Sequence, residues 1–478
     1  MVFSSPLFVF CFLPFVLTVT YTLPSRARNT FLTLASLLFY AWGETSYAGV
    51  MVLSILFNHA CARVLATVTS GQSRRWVLGG AVATNLAVLG WFKYTTFLIS
   101  SIQAVFGAGA ASPFVLAPVH LPIGISFFTF HSISYLVDIY RGAVPAQRNV
   151  LRTALYVSFF PQLIAGPIIR YKDIAAQIAA RVTTPALFLS GVGRFVVGLG
   201  KKVLIADMVA APVDVVFALP AAEVTPGLAW LAVGAYALQI YFDFSGYSDM
   251  AIGLARMFGF TFRENFDYPY VSVSVREFWR RWHISLSTWF RDYLYIPLGG
   301  GRGSRLRTGL NLLTVFFLCG LWHGAATTFI VWGLWHGMFL VIERTAVGRV
   351  LDRLPVLIRH AYTLGVVLVG WVIFRAATLD QGVDLLVVMG GAGVEAPDAL
   401  GVSVGDHLDG RFLLAAAAGL VYSTPVLPAL RRLCTTIPGS IPDRMWRGAT
   451  VVGLVVIFLA SSMAMAAGTY DPFIYFRF

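Results

Sequence analysis

The sequence predicts an all-α, polytopic membrane protein, and three observations predict it. Hydrophobic residues make up 58% of the 478 positions and charged residues only 12%, against about 25% charged in an ordinary soluble domain. Mean hydropathy is +0.76. Apolar runs recur from end to end with short polar breaks. The runs are continuously apolar, whereas the strands of an outer-membrane barrel alternate. The expectation is a single integral membrane domain over residues 1–478. At about 20 apolar residues per span, roughly ten to twelve crossings fit the available runs.

The net charge is +13. Arg and Lys fall mostly in the short loops between apolar runs. That pattern sets topology and attracts anionic lipid headgroups, so membrane lipid is the expected partner and nucleic acid is not. The cysteines, Cys11, Cys61, Cys319 and Cys434, lie in apolar segments without metal or disulfide spacing.

Residues Val2 to Leu23 read as a retained first membrane helix, because no basic n-region or small-residue cleavage site accompanies them. Arg26 and Arg28 make the following loop cytoplasmic. Thr45 to Ala62 and Trp76 to Phe92 are charge-free, and each is a crossing with its neighbours. Tyr94 to Val137 carries no charge and is broken by Gly107 to Pro122, before an aromatic piece that holds His131. Leu155 to Ile169 contains Pro161, Gly166 and Pro167, which suit either a re-entrant segment or a proline-kinked helix.

Leu187 to Phe217 is interrupted by Arg194, Lys201, Lys202 and Asp207, so one span plus an interfacial piece is expected. Thr225 to Phe242 is a clean span. It runs into a polar end with Asp243, Ser245 and Asp249. Those groups either close hydrogen bonds between helices or line a path to a site. Further spans are Tyr362 to Phe374, Phe412 to Leu430 and Ala449 to Thr469. Gly390 to Gly410 reads as a surface loop, and the aromatic end, Asp471 to Phe478, as interfacial.

The chemistry concentrates between Arg276 and Gly337. Placed on a helix, Trp279, Trp282, Leu286, Trp289 and Tyr293 share one stripe, with Arg276, Arg280 and Arg291 roughly opposite. A helix of that kind lies in the membrane interface. Its arginines suit anionic lipid, and equally the phosphates of coenzyme A. Gly299 to Gly303 is a weak phosphate-loop signal without the lysine and hydroxyl of a P-loop. It reads as a flexible basic cytoplasmic loop.

Thr308 to Ile342 has no charged residue and holds Trp322-His323-Gly324 and Trp335-His336-Gly337. An ionisable residue at membrane depth is a functional-site hypothesis by default. A neutral imidazole can take and return a proton, as transfer of an acyl group from a thiol to a hydroxyl requires. His323, flanked by Gly320, Gly324, Ala325 and Ala326, is therefore the first candidate for general acid/base. On an unbroken helix His336 would stand about 20 Å away; a turn near Ala325 to Thr328 would bring it closer.

Four segments then carry a resemblance: Phe262 to Tyr270, Glu277 to Ser285, Tyr293 to Gly300, and Trp322-His323-Gly324. Together they resemble the membrane-bound O-acyltransferase (MBOAT) family, most closely its bacterial alginate O-acetylation branch. The resemblance is most specific between Tyr94 and His336, within a core of residues 94–345, and extends to Pro472 to Phe478. It implies a helical bundle with re-entrant and interfacial helices around a funnel, in the bacterial inner membrane. It places the catalytic histidine at His323 and the second family histidine at His283.

The implied donor is acetyl-CoA, a substrate; no bound cofactor or metal is expected. The implied partners are a periplasmic O-acetyltransferase of the SGNH-hydrolase type and an exopolysaccharide biosynthesis complex. Arg280 and Arg281 are the expected donor anchors. Trp322, His336, Asp243, Ser245 and Asp292 are further substrate-site candidates. The rivals are transfer of D-alanine or another acyl group to an envelope polymer, a flippase for an acyl carrier, and a non-enzymatic scaffold.

Overall fold

The computed structural model describes residues 2–106, 119–392, 404–436 and 443–468. Every regular element among them is a helix. Most of the Gly107–Pro122 break, part of the Gly390–Gly410 loop and all of the aromatic end lie outside the described residues. The contacts gather into two compact units: Met1–Val192 with Ala251–Arg263 and Gly324–Ala326, and Gly193–Met250 with Glu264–His323 and Thr327–Phe478.

The first unit contains α1 (Leu13–Thr22), α2 (Ser25–Gly43), α3 (Ala48–Thr67), α4 (Gly71–Phe106), α5 (Ile125–Tyr140), α6 (Val150–Ser158), α7 (Phe160–Leu163) and α8 (Tyr171–Ala179). Leu155 to Ile169 is not one span. The chain breaks at Phe159, makes the single turn of α7, then runs irregular and fully buried to Arg170. Gly166 permits this bend, since a Cβ there would meet the Pro161 carbonyl at 2.5 Å. His131, fully buried on α5, packs its ring 5.6 Å from Tyr156 and makes no hydrogen bond.

The second unit begins within α9 (Pro185–Gly200), which continues as a π-helical turn at Lys201–Ala206. It then includes α10 (Ala210–Val216), α11 (Pro226–Met257) up to Met250, α12 (Val275–Arg281), α13 (Ile284–Phe290), α14 (Arg305–His323), α15 (Thr327–Ile342), α16 (Ala346–Leu351), α17 (Val356–Arg375), α18 (Leu379–Met389), α19 (Gly410–Tyr422), α20 (Val426–Thr436) and α21 (Asp443–Ala466). The polar stretch after Phe242 is not the end of a span. It lies inside the 32 residues of α11. Its carboxylates are buried because cations meet them there: Lys202 is 3.0 Å from Asp243 and 2.6 Å from Asp207, and Lys201 is 2.8 Å from Asp249. Gly198 and Gly246 let α9 and α11 touch backbone to backbone, as small residues do between membrane helices.

Four helices among the described residues are long and apolar enough to cross a membrane: Thr45–Thr67, Pro226–Met257, Val356–Arg375 and Met445–Ala466. A fifth follows if α19 and α20, bent by 63°, form one broken span. Other apolar runs are shorter helices, such as Phe8–Thr22 and Thr327–Ile342.

Candidate active site

The expected amphipathic helix from Trp279 to Tyr293 does not exist as one piece. α12 ends at Arg281, and His283 takes a left-handed backbone, φ 44° and ψ 54°, before α13 starts. Few residues other than glycine adopt that conformation, and it persists only where the surroundings hold it. Here the segment around Asn265 holds it. The Asp267 amide donates to the Arg281 carbonyl at 2.9 Å, and the Ile284 amide donates to the Asn265 carbonyl at 2.9 Å. The single stripe is therefore split. Trp282 packs against Phe266, Phe278 and Trp371, at 5.0, 5.5 and 4.9 Å between ring centres.

α12 is fastened at its start. Ser274 accepts the Glu277 amide at 3.0 Å, and Glu343 accepts the Val275 and Arg276 amides at 2.6 and 3.0 Å. A buried carboxylate at a helix N-terminus satisfies free donors and opposes the helix dipole. Glu343 sits just past α15 and so ties α12 to that helix.

Asn265 also fixes the imidazole of His283. Its Oδ1 accepts the Ser285 amide at 3.1 Å and the Ser285 hydroxyl at 2.9 Å, and lies 3.2 Å from His283 Nδ1. Its Nδ2 donates to Ser248 at 2.9 Å. A backbone amide is only a donor, so Oδ1 is the atom that faces Ser285. Nδ1 of His283 must then carry the proton, and Nε2 keeps its lone pair. Nε2 is buried and makes no hydrogen bond. Asn265 lies within the Phe262–Tyr270 segment, and its contact with His283 spans 18 residues of sequence.

α14 and α15 form a tight hairpin. A Cβ on Gly320 would strike the Phe329 carbonyl, and one on Gly333 the Phe316 carbonyl, so glycine permits the approach. The hairpin puts the rings in a ladder. His283 lies 6.2 Å from Trp322, Trp322 5.0 Å from His323, His323 4.9 Å from Trp332, and Trp332 5.3 Å from His336. His283, His323 and His336 are buried at 0, 6 and 0% exposure. His336 thus comes near His323 through the turn, with Trp332 between them. Both nitrogens of His336, and the indole nitrogens of Trp279 and Trp332, make no hydrogen bond.

A cavity of about 250 Å³ lies beside this ladder. Its floor is buried and apolar: Trp279, Phe290, Val315, Phe316 and Cys319. Its rim carries the exposed Arg276, Arg280, Arg291 and Arg344. Trp279 joins cavity to ladder, at 5.7 Å from Trp332 and 5.2 Å from His336. Arg344 was absent from the sequence candidates because it lies far along the chain from the basic helix.

The remaining candidates divide. Arg280 reaches the cavity; Arg281 is held by Glu277 at 2.9 Å and Asp267 at 3.2 Å. Asp292 pairs with Arg291 at 2.8 Å, and Asp243 with Lys202. Ser245, 1% exposed, makes no hydrogen bond through its hydroxyl. No group of three or more His, Cys, Asp or Glu among the described residues could hold a metal ion. The Gly299–Gly303 loop is pinned on one side, since Asn311 donates to the Leu298 and Gly300 carbonyls at 3.3 and 3.1 Å.

These features define a class, an all-helical integral membrane protein with buried histidines beside an arginine-rimmed cavity. Residues 143–375 match the model of MBOAT, the membrane-bound O-acyltransferase family. The chain is 44% identical to "Probable alginate O-acetylase AlgI" of Pseudomonas putida, with all of both chains covered. It is 36% identical to the peptidoglycan O-acetyltransferase of Helicobacter pylori, over 81% of this chain and 79% of that one. It is 27% identical to the teichoic acid D-alanyltransferase of Bacillus subtilis, over 59% and 75%. The chain belongs to the membrane-bound O-acyltransferase family and is an acyltransferase.

Proposed function

We propose that the chain moves an acetyl group from acetyl-CoA, at the cytoplasmic face of the bacterial inner membrane, toward O-acetylation of an exopolysaccharide of the alginate kind. Two likenesses support the acetyl group and the polymer: the full-length one to alginate O-acetylases and the partial one to a peptidoglycan O-acetyltransferase. One structural observation carries the chemistry. Buried nitrogens without protein partners, those of His336 and of the Trp279 and Trp332 indoles, meet a cavity with a cationic rim through Trp279. Buried polar groups are normally hydrogen-bonded, so these nitrogens favour a polar group of a substrate or a water beside the cavity.

In this reading Arg280, with Arg276, Arg291 and Arg344, holds the donor's phosphates, and the apolar floor receives its thioester arm. His323 removes the proton from the incoming hydroxyl as its oxygen bonds to the acetyl carbon. The carbon–sulfur bond then breaks, and the proton is returned to the leaving thiolate. His283 Nε2 accepts a hydrogen bond from a donor group of the bound substrate other than the reacting hydroxyl, and so aligns it. A periplasmic O-acetyltransferase of the SGNH type, in an exopolysaccharide assembly, takes the acetyl group onward.

The test is release of free CoA from labelled acetyl-CoA by the protein in nanodiscs, with and without periplasmic extract, for wild type and His323→Ala. Label moving to extract protein or polymer in wild type alone is expected. Equal turnover by H323A would remove His323 from the chemistry. Label transfer from a D-alanyl carrier thioester, with none from acetyl-CoA, would replace the acetyl reading by the D-alanyl one.

A further inference from the structure

A second cavity, of about 420 Å³, lies wholly within the first unit. That volume falls in the usual range for small-ligand sites, about 300–1,000 Å³. Arg26, Arg28, Arg152 and Arg181 line it, and no carboxylate does. Arg181 donates to the Phe258 carbonyl at 2.9 Å and to Asn29 Oδ1 at 2.5 Å, and its guanidinium lies 4.3 Å from the Phe260 ring centre. Arg28 donates to the Leu23 carbonyl at 3.1 Å. Two of the four are thus fixed in place by neutral groups, which leave their charge uncompensated. Arg26 and Arg152 make no ion pair among the described residues.

Backbone adds to the positive potential. α2 starts at Ser25 behind Pro24, with no side-chain cap and no acidic residue in its first turn, so its positive end opens on the cavity. The opposing C-terminal end of α8 is capped, since Asn29 Nδ2 donates to the Ile178 carbonyl at 2.9 Å. Burial, and then the Arg28 charge, pull Arg181 down to about 10. The Arg181 segment joins α8 to α9 and lies outside the spans.

We propose that this cavity is a phosphate-binding site, filled by the phosphodiester of an anionic lipid headgroup or by free phosphate. Four guanidinium groups supply charge-assisted donors that match phosphate oxygens. Thr20 and Tyr21, at the C-terminal end of the apolar helix Phe8–Thr22, line the cavity. The site is separate in residues from the arginine-rimmed cavity near His323, and it does not depend on which donor or acceptor the enzyme uses.

The experiment is thermal unfolding of the purified full chain in a neutral detergent, titrated separately with phosphatidylglycerol, phosphatidylcholine and inorganic phosphate. Ligands that bind the folded state raise its midpoint. Wild type and the double variant Arg26→Gln, Arg152→Gln are compared; neither arginine holds another element. Stabilisation of wild type by phosphatidylglycerol and not phosphatidylcholine, with roughly tenfold weaker affinity in the variant, identifies a lipid headgroup. The same pattern with inorganic phosphate alone identifies a soluble phosphate. Each result supports the site. Equal stabilisation of wild type and variant, or none by either phosphate source, overturns it. If the double variant does not purify, R26Q and R152Q singly make the same comparison, each with a partial loss.

Discussion

Replacing Asn265 by leucine keeps the side-chain volume and removes every hydrogen bond the amide makes. The hydroxyls of Ser248 and Ser285 can rotate to other partners. The buried Ser285 amide cannot, while the Nδ1 proton of His283 keeps only the Ser285 hydroxyl, 3.5 Å away. An orphaned buried donor costs about 1–3 kcal/mol, so N265L should lose about 1–3 kcal/mol of stability. It also frees the imidazole to flip or change tautomer. Loss of such an orienting partner typically costs about 10–100-fold in activity.

Asn265→Asp separates the two effects. Its carboxylate still accepts from Nδ1 and from the Ser285 amide, and Ser248 can turn to donate. The new negative charge favours the protonated imidazole. Neutral Nε2 is the working form, so the acid limb of the pH–rate profile should move to higher pH, by about one unit or more. The assay is CoA release in nanodiscs across pH, with folding checked by size exclusion. Folded N265L with unchanged kcat/KM, or N265D with an unmoved acid limb, would refute the claim that Asn265 sets the tautomer of His283.

Three further outcomes are expected. His323→Ala should keep its fold and lose about 10²–10⁴-fold in turnover, the usual worth of a general acid/base; CoA release measures it. Arg280→Gln should raise KM for the phosphorylated donor at unchanged stability. Arg281→Gln, whose partners are half-exposed carboxylates, should instead lose up to about 1 kcal/mol of stability with KM unchanged, so unfolding and kinetics together sort the two neighbours. Gly333→Val should push α15 off the Phe316 carbonyl at a cost of about 1–3 kcal/mol or more, read as a lower unfolding midpoint.

The class of protein was legible because lipid imposes it everywhere: long charge-poor runs have few other uses. His323 stood out as a candidate for the same reason, since imidazole is costly in an apolar stretch. The two cavities were not legible. Arg344 joins Arg280, and Arg181 joins Arg26, only through tertiary contacts. The misread polar end of α11 has a similar origin. Asp243 looked like the edge of a span because Lys202, its counter-ion, stands 41 residues earlier in sequence.

The break at His283 was hidden by the absence of any breaker. Neither glycine nor proline interrupts Trp279 to Tyr293, and local propensity alone favours continuing the helix. What stops it is the Asn265 segment, which takes the Ile284 and Ser285 amides that a continuous helix would direct to its own carbonyls. The same contacts that end the helix therefore orient the imidazole. A chain with glycine at 283 would make the turn more easily and have no imidazole to present. The left-handed histidine, costly to backbone energy, is thus where local structure and the proposed chemistry meet in one residue. Asn265 is the residue on which both depend.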